Sequence, residues 1–334
     1  MASPTHARSN LTHGAFPGVL WFLVTLAAAG LLVAQRAKVD LPAHLLPVAA
    51  VAITTAYAGA LANRVGGRPF VSAAVGLALG LAAKLSDLPM LVAGVAVTTA
   101  VLAALLAVMV TVPATGFLKA VREVVVATAV AWVGALAVAA YSTQNDPGRF
   151  RYVALGAAVL GILALVSGLG AGLHGLGRRG ALVMLAGTVL LVAVVAYGEA
   201  LSRWGTPELV HGIARTRLFI RDHLHAVPHP IEVLLGYPAL AWGVFMRGRR
   251  RQGWWVVAFG VAATISTACA LVDPRVSMDR ALLGSGYSLV LGLALGYLVL
   301  RLDLFFTGPR GHRARLDEEA SAHRPEPGRT RSLR

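Results

Sequence analysis

The sequence predicts an all-α, polytopic membrane protein with about ten transmembrane helices. Of its 334 residues, 57% are hydrophobic and only 13% are charged, whereas roughly a quarter of the residues of a soluble domain are charged. The apolar residues form long uncharged runs separated by short charged segments. Crossing the hydrocarbon core takes about 20 apolar residues of helix, and the runs lack the alternation typical of membrane-spanning strands. Each run is therefore expected to be a helix.

Ten uncharged runs are the predicted spans. They are residues 17–35, 41–63, 69–83, 88–118, 124–145, 152–177, 180–198, 233–246, 252–272 and 281–300. The third and eighth runs are short, and we expect the eighth to extend back through Glu232. The fourth is too long for one straight span, so Pro113 is expected to end its helix or to kink it.

The positions of lysine and arginine predict the orientation of these spans. With both ends of the chain in the cytoplasm, eighteen basic residues lie on the inside and eleven on the outside, not counting Arg301 directly after the tenth run, as the positive-inside rule requires. The chain is thus predicted to lie in a bacterial inner membrane. Residues 1–16 form the cytoplasmic N-terminal segment, and the run that follows is expected to be an uncleaved first span. Residues 307–334 are predicted to be a disordered basic tail.

Several other functions are not supported by the sequence. The net charge of +15 lies in loops and in the tail without a basic domain, so no nucleic-acid partner is predicted. A single cysteine, Cys269, excludes a disulfide within the chain, and no metal site or cofactor is predicted. Residues 170–175 have the spelling of a dinucleotide-binding fingerprint but end a span, which favours helix packing. The sequence Gly-Leu-Ala-Leu-Gly at 76–80 and 292–296 is also typical of helix packing.

The segment 199–232 differs from the rest of the chain. It contains four arginines, four acidic residues and four histidines, and the predicted topology places it outside the membrane. The sequence Thr206-Pro207-Glu208 is a favourable helix start, with a capping hydroxyl, proline in the first turn and an acid near the positive end of the helix dipole. Its apolar residues then share one helical face, beside Arg217 and Arg221. We therefore expect an amphipathic helix at the outer membrane surface.

Two interpretations of this segment remain open. It is either a structural connector whose arginines contact lipid phosphate, or an anion site that binds a lipid-linked phosphate or an acidic polysaccharide. The last external loop, residues 273–280, is expected on the same side. Glu232 is a functional candidate because it lies where a span begins, although a structural ion pair with an arginine such as Arg203 or Arg280 is equally expected there. The candidate anion- or glycan-binding residues are Arg203, Arg215, Arg217, Arg221, His223, His225, Glu232, Arg275 and Arg280.

Four short sequences carry a family resemblance. They are Arg203-Trp204-Gly205, residues 232–240 (Glu-Val-Leu-Leu-Gly-Tyr-Pro-Ala-Leu), residues 266–269 and the loop 273–280. Through them, residues 200–300 resemble a family of multi-pass bacterial membrane proteins of unknown function, often encoded beside the polysaccharide pyruvyl transferase of cell-wall polymers. The basic cluster expected before the glutamate is replaced here by Val-Pro-His-Pro at 227–230. The resemblance implies a role in envelope polysaccharide metabolism but supplies no reaction.

These observations lead to three functional hypotheses. The first is a non-enzymatic, transporter-like or scaffolding component for assembly or export of a cell-surface polysaccharide. Its partners would be the lipid bilayer, a lipid-linked or acidic polysaccharide, and other cell-envelope assembly proteins. The second is a lipid-linked glycan polymerase or ligase with His223, His225 or Glu232 as base. The third is a small-solute carrier, which needs polar residues at the membrane midplane that the spans nearly lack.

Overall fold

The structure of the chain is a computed structural model. It describes residues 10–36, 39, 42, 44–86, 88–141, 146–169, 177–249, 253–273, 276–307 and 326–334, and this part contains helices and no strand. The helices are α1 (Asn10–Arg36), α2 (Leu45–Arg64), α3 (Pro69–Ser86), α4 (Pro89–Met109), α5 (Phe117–Ala140), α6 (Pro147–Gly168), α7 (Gly177–Trp204), α8 (Pro207–Leu224), α9 (Tyr237–Arg247), α10 (Gly253–Ala258), α11 (Val261–Val272) and α12 (Met278–Thr307). One π-helical turn, Glu232–Gly236, runs directly into α9.

The predicted class is confirmed. Within the described residues, eight helical stretches are long and apolar enough to cross a membrane, and α3 is one of them although its run was short. The stretch made by α10 and α11 counts as one span. The two remaining predicted runs correspond to a shorter apolar stretch of α1, Trp21–Gln35, and to the π-turn with α9.

Burial separates inner from outer helices. The span formed by α10 and α11 is 83% buried inside the bundle, whereas the span in α7 is only 6% buried. Large apolar side chains point outward from the peripheral helices, and Phe70 of α3 is 80% exposed. Such a surface cannot face water without aggregation. It is therefore the surface that contacts lipid.

Small residues join the helices. Both copies of the Gly-Leu-Ala-Leu-Gly sequence lie at helix contacts, as expected. In α3, a side chain at Gly76 would meet α2 at Ala58. In α12, a side chain at Gly292 would lie 2.7 Å from Cβ of Tyr237, at the start of α9. Glycine at these positions lets the backbones approach closely.

The link between α4 and α5 differs in detail from the prediction. Helix α4 ends at Met109, four residues before Pro113, and the chain is extended or turned until α5 begins at Phe117. The backbone N–H of Ala114 in this link donates to the carbonyl of Val244 in α9. Helix α5 starts seven residues before its predicted apolar run, so it includes Glu123, whose side chain is fully buried.

Contacts with residues 326–334, here named the tail segment, identify one end of the bundle. The tail segment hydrogen-bonds to Arg64 at the end of α2, Gly168 at the end of α6 and Arg247 at the end of α9. We call this the tail end. The ends of α2, α6 and α9, which precede segments predicted to be on the inside, therefore lie at one end of the bundle. Glu232 begins a helix whose last residue is Arg247, so it lies toward the opposite end.

Residues 326–334, the last part of the segment that was predicted to be a disordered tail, are described by the structure. This segment contacts the bundle through ion pairs and hydrogen bonds, which the composition of the tail did not indicate. Residues 308–325 lie outside the described part of the chain. Residues 326–334 are held against the bundle because buried charges on the helices supply partners for the charges of the tail segment.

Helix α8 forms where it was predicted. It spans Pro207–Leu224 with Thr206 at its N-cap, and none of its residues is buried. The Thr206 hydroxyl makes no capping hydrogen bond, so that detail of the prediction is wrong. The helix ends at His225, which adopts a left-handed backbone conformation with φ of 59°. An exposed amphipathic helix of this kind is suited to lie along a membrane surface.

The contact between α4 and α5 provides a test of the packing. A Cβ at Gly134 would lie 2.1 Å from Cβ of Ala103, whereas a Cβ at Gly156 of α6 has nothing within 4 Å. We expect Gly134→Ala to destabilise the protein by about 1–3 kcal/mol because the helices must separate. Thermal unfolding in detergent measures this. Gly156→Ala is the matched control, and equal Tm values for the two variants would contradict the packing described here.

Candidate functional site

The predicted candidate residues do not form one cluster in the structure. Arg203 pairs with Glu199 four residues before it, at 2.6 Å, on the exposed end of α7. On α8, His223 stacks on Phe219, and Arg221 lies 3.9 Å from Asp222. The side chains of Arg215, Arg217, His225 and Arg280 are exposed, and Arg275 lies outside the described residues.

Glu232 is the exception among the predicted residues. Its side chain is 0% exposed, and its Oε1 lies 3.2 Å from Nδ1 of His229. Apart from this ion pair, neither carboxylate oxygen has a hydrogen-bond partner in the part of the chain that the structure describes. Glu232 was expected to pair with an arginine such as Arg203 or Arg280, but it pairs instead with a histidine three residues before it. A buried carboxylate with so few partners has capacity for a ligand.

Hydroxyl groups of α12 lie beside this pair. The hydroxyl of Ser288, which is fully buried, accepts a hydrogen bond of 2.8 Å from the backbone N–H of His229. Three residues earlier on the same helix, Ser285 contacts the hydroxyl of Tyr237 at 3.2 Å. Glu232, His229, Tyr237 and the two serines therefore form one polar region, here named the Glu232 site.

Close helix contacts position the Glu232 site. Gly236, the last residue of the π-turn, lies so close to α11 that a Cβ would come within 2.5 Å of the Ala263 backbone nitrogen. On the other side, a Cβ at Gly292 of α12 would lie 3.3 Å from the carbonyl oxygen of Glu232. The π-turn is thus packed between two helices. A π-turn interrupts the regular helix and often marks a functional position.

His229 connects the buried carboxylate to the surface. Its side chain is 36% exposed, against 0% for Glu232, and it precedes the π-turn and α9. Burial alone would lower the pKa of His229. Its contact with Glu232 and the negative charge there together raise the pKa by more than burial lowers it, so the net pKa is raised. The positive charge of Arg217 on α8 opposes this increase.

A second charged cluster lies at the tail end. The guanidinium of Arg329 makes two hydrogen bonds to the fully buried carboxylate of Glu123, at 2.5 and 2.7 Å. Arg247 is 1% exposed, pairs with Glu326 and donates to the Thr111 hydroxyl at 2.7 Å. In this cluster each buried acidic or basic group named here has an opposite charge beside it.

Three participating residues were missed by the sequence analysis. Glu123 precedes its predicted span, Arg247 was interpreted only as an orientation signal, and His229 was not selected among the candidates. The spacing of His229 and Glu232, three apart at the start of a span, is a signal that would have identified the pair. The partner of Glu123 is 206 residues away in sequence, and no local pattern indicates it.

The fold and these sites define the class of the protein: an all-α polytopic membrane protein with a buried charged group toward each end. No protein-family model matches the chain, and no curated protein or solved structure is significantly similar to it. Function is therefore inferred from the sites alone, together with the family resemblance stated above.

The raised pKa of His229 predicts a dependence of stability on pH. The stabilisation by the His229–Glu232 pair is fully present below the ordinary histidine pKa of 6.5 and is lost as the pH rises through the raised value. The Tm difference between wild type and His229→Gln should therefore be constant in mild acid and shrink above neutral pH. His211→Gln, an exposed change on α8, serves as control. A difference that does not vary with pH would exclude protonation of His229 in the folded protein.

Proposed function

We propose that this protein is a transporter-like membrane component that binds its cargo at the Glu232 site. The observation that carries the proposal is a fully buried carboxylate at a π-turn that interrupts a helix, with one ion-pair partner and no hydrogen-bond partner among the described residues. Interrupted helices with polar groups are the usual binding elements of transporters. An ionisable group at this depth is expensive to keep unless it is used.

The chemistry of the site suggests a hydroxyl-rich cargo. A carboxylate accepts hydrogen bonds from sugar hydroxyls, and the neighbouring serine and tyrosine hydroxyls both donate and accept. The segment containing Glu232 also carries the resemblance to envelope proteins linked with cell-wall polysaccharide. We therefore propose that the cargo is a cell-surface polysaccharide or its lipid-linked precursor, handled in the bacterial inner membrane with the Glu232 site toward the outside.

The exposed arginines of α8 complete this proposal. Helix α8 lies outside the spans and buries none of its residues, and the positive charge of Arg217 lowers the pKa of His229. A lipid-linked sugar carries phosphate, and arginine binds phosphate through paired hydrogen bonds. In this arrangement α8 holds the phosphate of the carrier at the membrane surface while Glu232 contacts the sugar.

The enzymatic alternative uses the same residues. His229 and Glu232, 3.2 Å apart, have the spacing of a base and the group that orients it, so a lipid-linked glycan polymerase or ligase is the second candidate. Purified protein in liposomes separates the two. With lipid-linked glycan as the only substrate, transfer between leaflets supports the transporter, and a covalently extended glycan supports the enzyme.

Glu232→Gln tests the site in cells. Expressed in the native host in place of the wild type, this variant should reduce export of surface polymer by about tenfold or more, because hydrogen bonds to a buried charge are strong. Glu208→Gln, in the exposed first turn of α8, is the control and should export normally. Both variants must insert at wild-type levels, measured by membrane immunoblot. Normal polymer from an inserted Glu232→Gln variant would overturn the proposal.

The double variant Arg217→Ala/Arg221→Ala tests the contribution of α8. We expect reduced surface polymer with unchanged insertion, because both side chains are exposed and support no packing. Polymer is measured as cell-surface carbohydrate per cell. If the well-expressed double variant makes normal polymer, α8 is only a structural connector at the lipid surface.

A further inference from the structure

The tail end of the bundle binds a non-helical peptide with one turn, and that peptide is part of the same chain. Residues 326–334 run across the ends of four elements and contact them mainly through polar groups. The contacts differ from ordinary loop packing because they include both fully buried side chains of the bundle and the backbone of the peptide. They resemble the way that a protein recognises a peptide ligand.

Arg64 recognises the backbone of the tail segment. Its Nη1 donates to the carbonyl oxygens of Gly328, at 2.6 Å, and Arg331, at 2.7 Å. In return, the backbone N–H of Leu333 donates to the carbonyl of Arg64 at 2.9 Å. The Arg64 side chain is 1% exposed, and its Nε is fixed by the carbonyl of Met109 at 2.8 Å. A buried guanidinium is thus held in place to contact this peptide.

Two ion pairs fix the register of the tail segment. Glu326 pairs with Arg247, and Arg329, three residues later, makes its bidentate contact with Glu123. The acid and base of the peptide thus match a base and an acid on two different helices, α9 and α5. Reversing either charge would place like charges against each other at a buried side chain. The specificity therefore comes from charge complementarity.

The side chains that bind the tail segment also have partners within the bundle. Arg247 stacks on Trp254, with its guanidinium carbon 3.6 Å from the ring centroid, and donates to Thr111. Glu123 accepts hydrogen bonds from Arg122 and from the backbone N–H of Val112. The site is consequently preorganised, and the bundle does not need the tail segment to keep these side chains in position.

We propose that the tail segment is a detachable plug that closes the tail end of the bundle. When it is bound, Arg64, Arg247 and Glu123 are covered. When it leaves, two guanidinium groups and one carboxylate face the solvent at that end. The consequence for cargo rests on the proposed function: a transporter whose Glu232 site faces outward is closed on the other side by its own residues 326–334. The docking itself does not depend on that function.

Hydrogen exchange of the full-length protein in detergent tests the docking. We expect the peptide covering 326–334 to be protected in the wild type. Arg329→Glu and Glu123→Arg should each increase its exchange by on the order of a hundredfold, since each places two like charges against each other. The double variant Glu123→Arg/Arg329→Glu should restore protection. Equal exchange in the wild type and both single variants would overturn the proposal.

Two further variants keep the test decisive if the Glu123 substitution prevents folding. Arg329→Gln changes only the tail segment and should also release it. Arg331→Ala is the matched control, because the structure uses the backbone carbonyl of Arg331 and its side chain is exposed. Release by Arg331→Ala as well as by Arg329→Gln would show non-specific contact and reject the plug. Cargo transfer by Arg329→Gln in liposomes is measured separately, so failure of the proposed function leaves the docking result intact.

Discussion

Small side chains set how closely the helices of this protein approach one another, and most of the structure depends on that distance. Apolar side chains gain little by leaving lipid for protein, so van der Waals contact between backbones must hold the bundle together. Gly134 against Ala103 joins α4 to α5, and Gly236 against Ala263 joins the π-turn to α11. Glu232 is buried because the glycines beside it bring the neighbouring helices together.

The two charged sites differ in how completely their charges are satisfied. At the tail end, Glu123 contacts two arginines and a backbone N–H, as expected for a charge held in a low-dielectric region. At the opposite end, a partly exposed histidine is the one ion-pair partner that the described residues give Glu232, and they give it no hydrogen-bond partner. A site with satisfied charges fixes structure, whereas a site with spare acceptors is suited to bind. This contrast is why we assign binding to Glu232 and closure to the tail end.

Much of the fold could be predicted because membrane spans are a local property of sequence. Hydrophobic length predicted α2 to α7 and α12, and Pro207 correctly predicted where α8 begins. The residues of the site were harder to predict from the sequence. Glu232 was selected from its position at the start of a span, but its partner was not, since an arginine was expected from charge alone. The arginines of α8 were conspicuous because they are exposed, while Arg64 and Arg247 were not distinguished from ordinary orientation signals.

The tail segment was missed for a different physical reason. Its composition is that of a disordered chain, with charges of both signs and few apolar residues. Such a segment becomes ordered only if a surface elsewhere supplies complementary charges, and those charges lie on α5 and α9. Interactions between positions separated by 79 and 206 residues leave no periodic pattern. A membrane-spanning helix leaves a local pattern in the sequence, whereas an ion pair between distant residues does not.

The π-turn at Glu232–Gly236 also has an evolutionary meaning. Such a turn carries one more residue than the α-helical turn it replaces, so it can arise by insertion of a single codon. Each residue of an α-helix turns the chain by about 100°. Loss of one residue between 233 and 236 would therefore rotate Glu232 and His229 together around the axis of α9, away from Ser288. The loss of one residue, which barely alters the hydropathy of this segment, would therefore reorient the whole site.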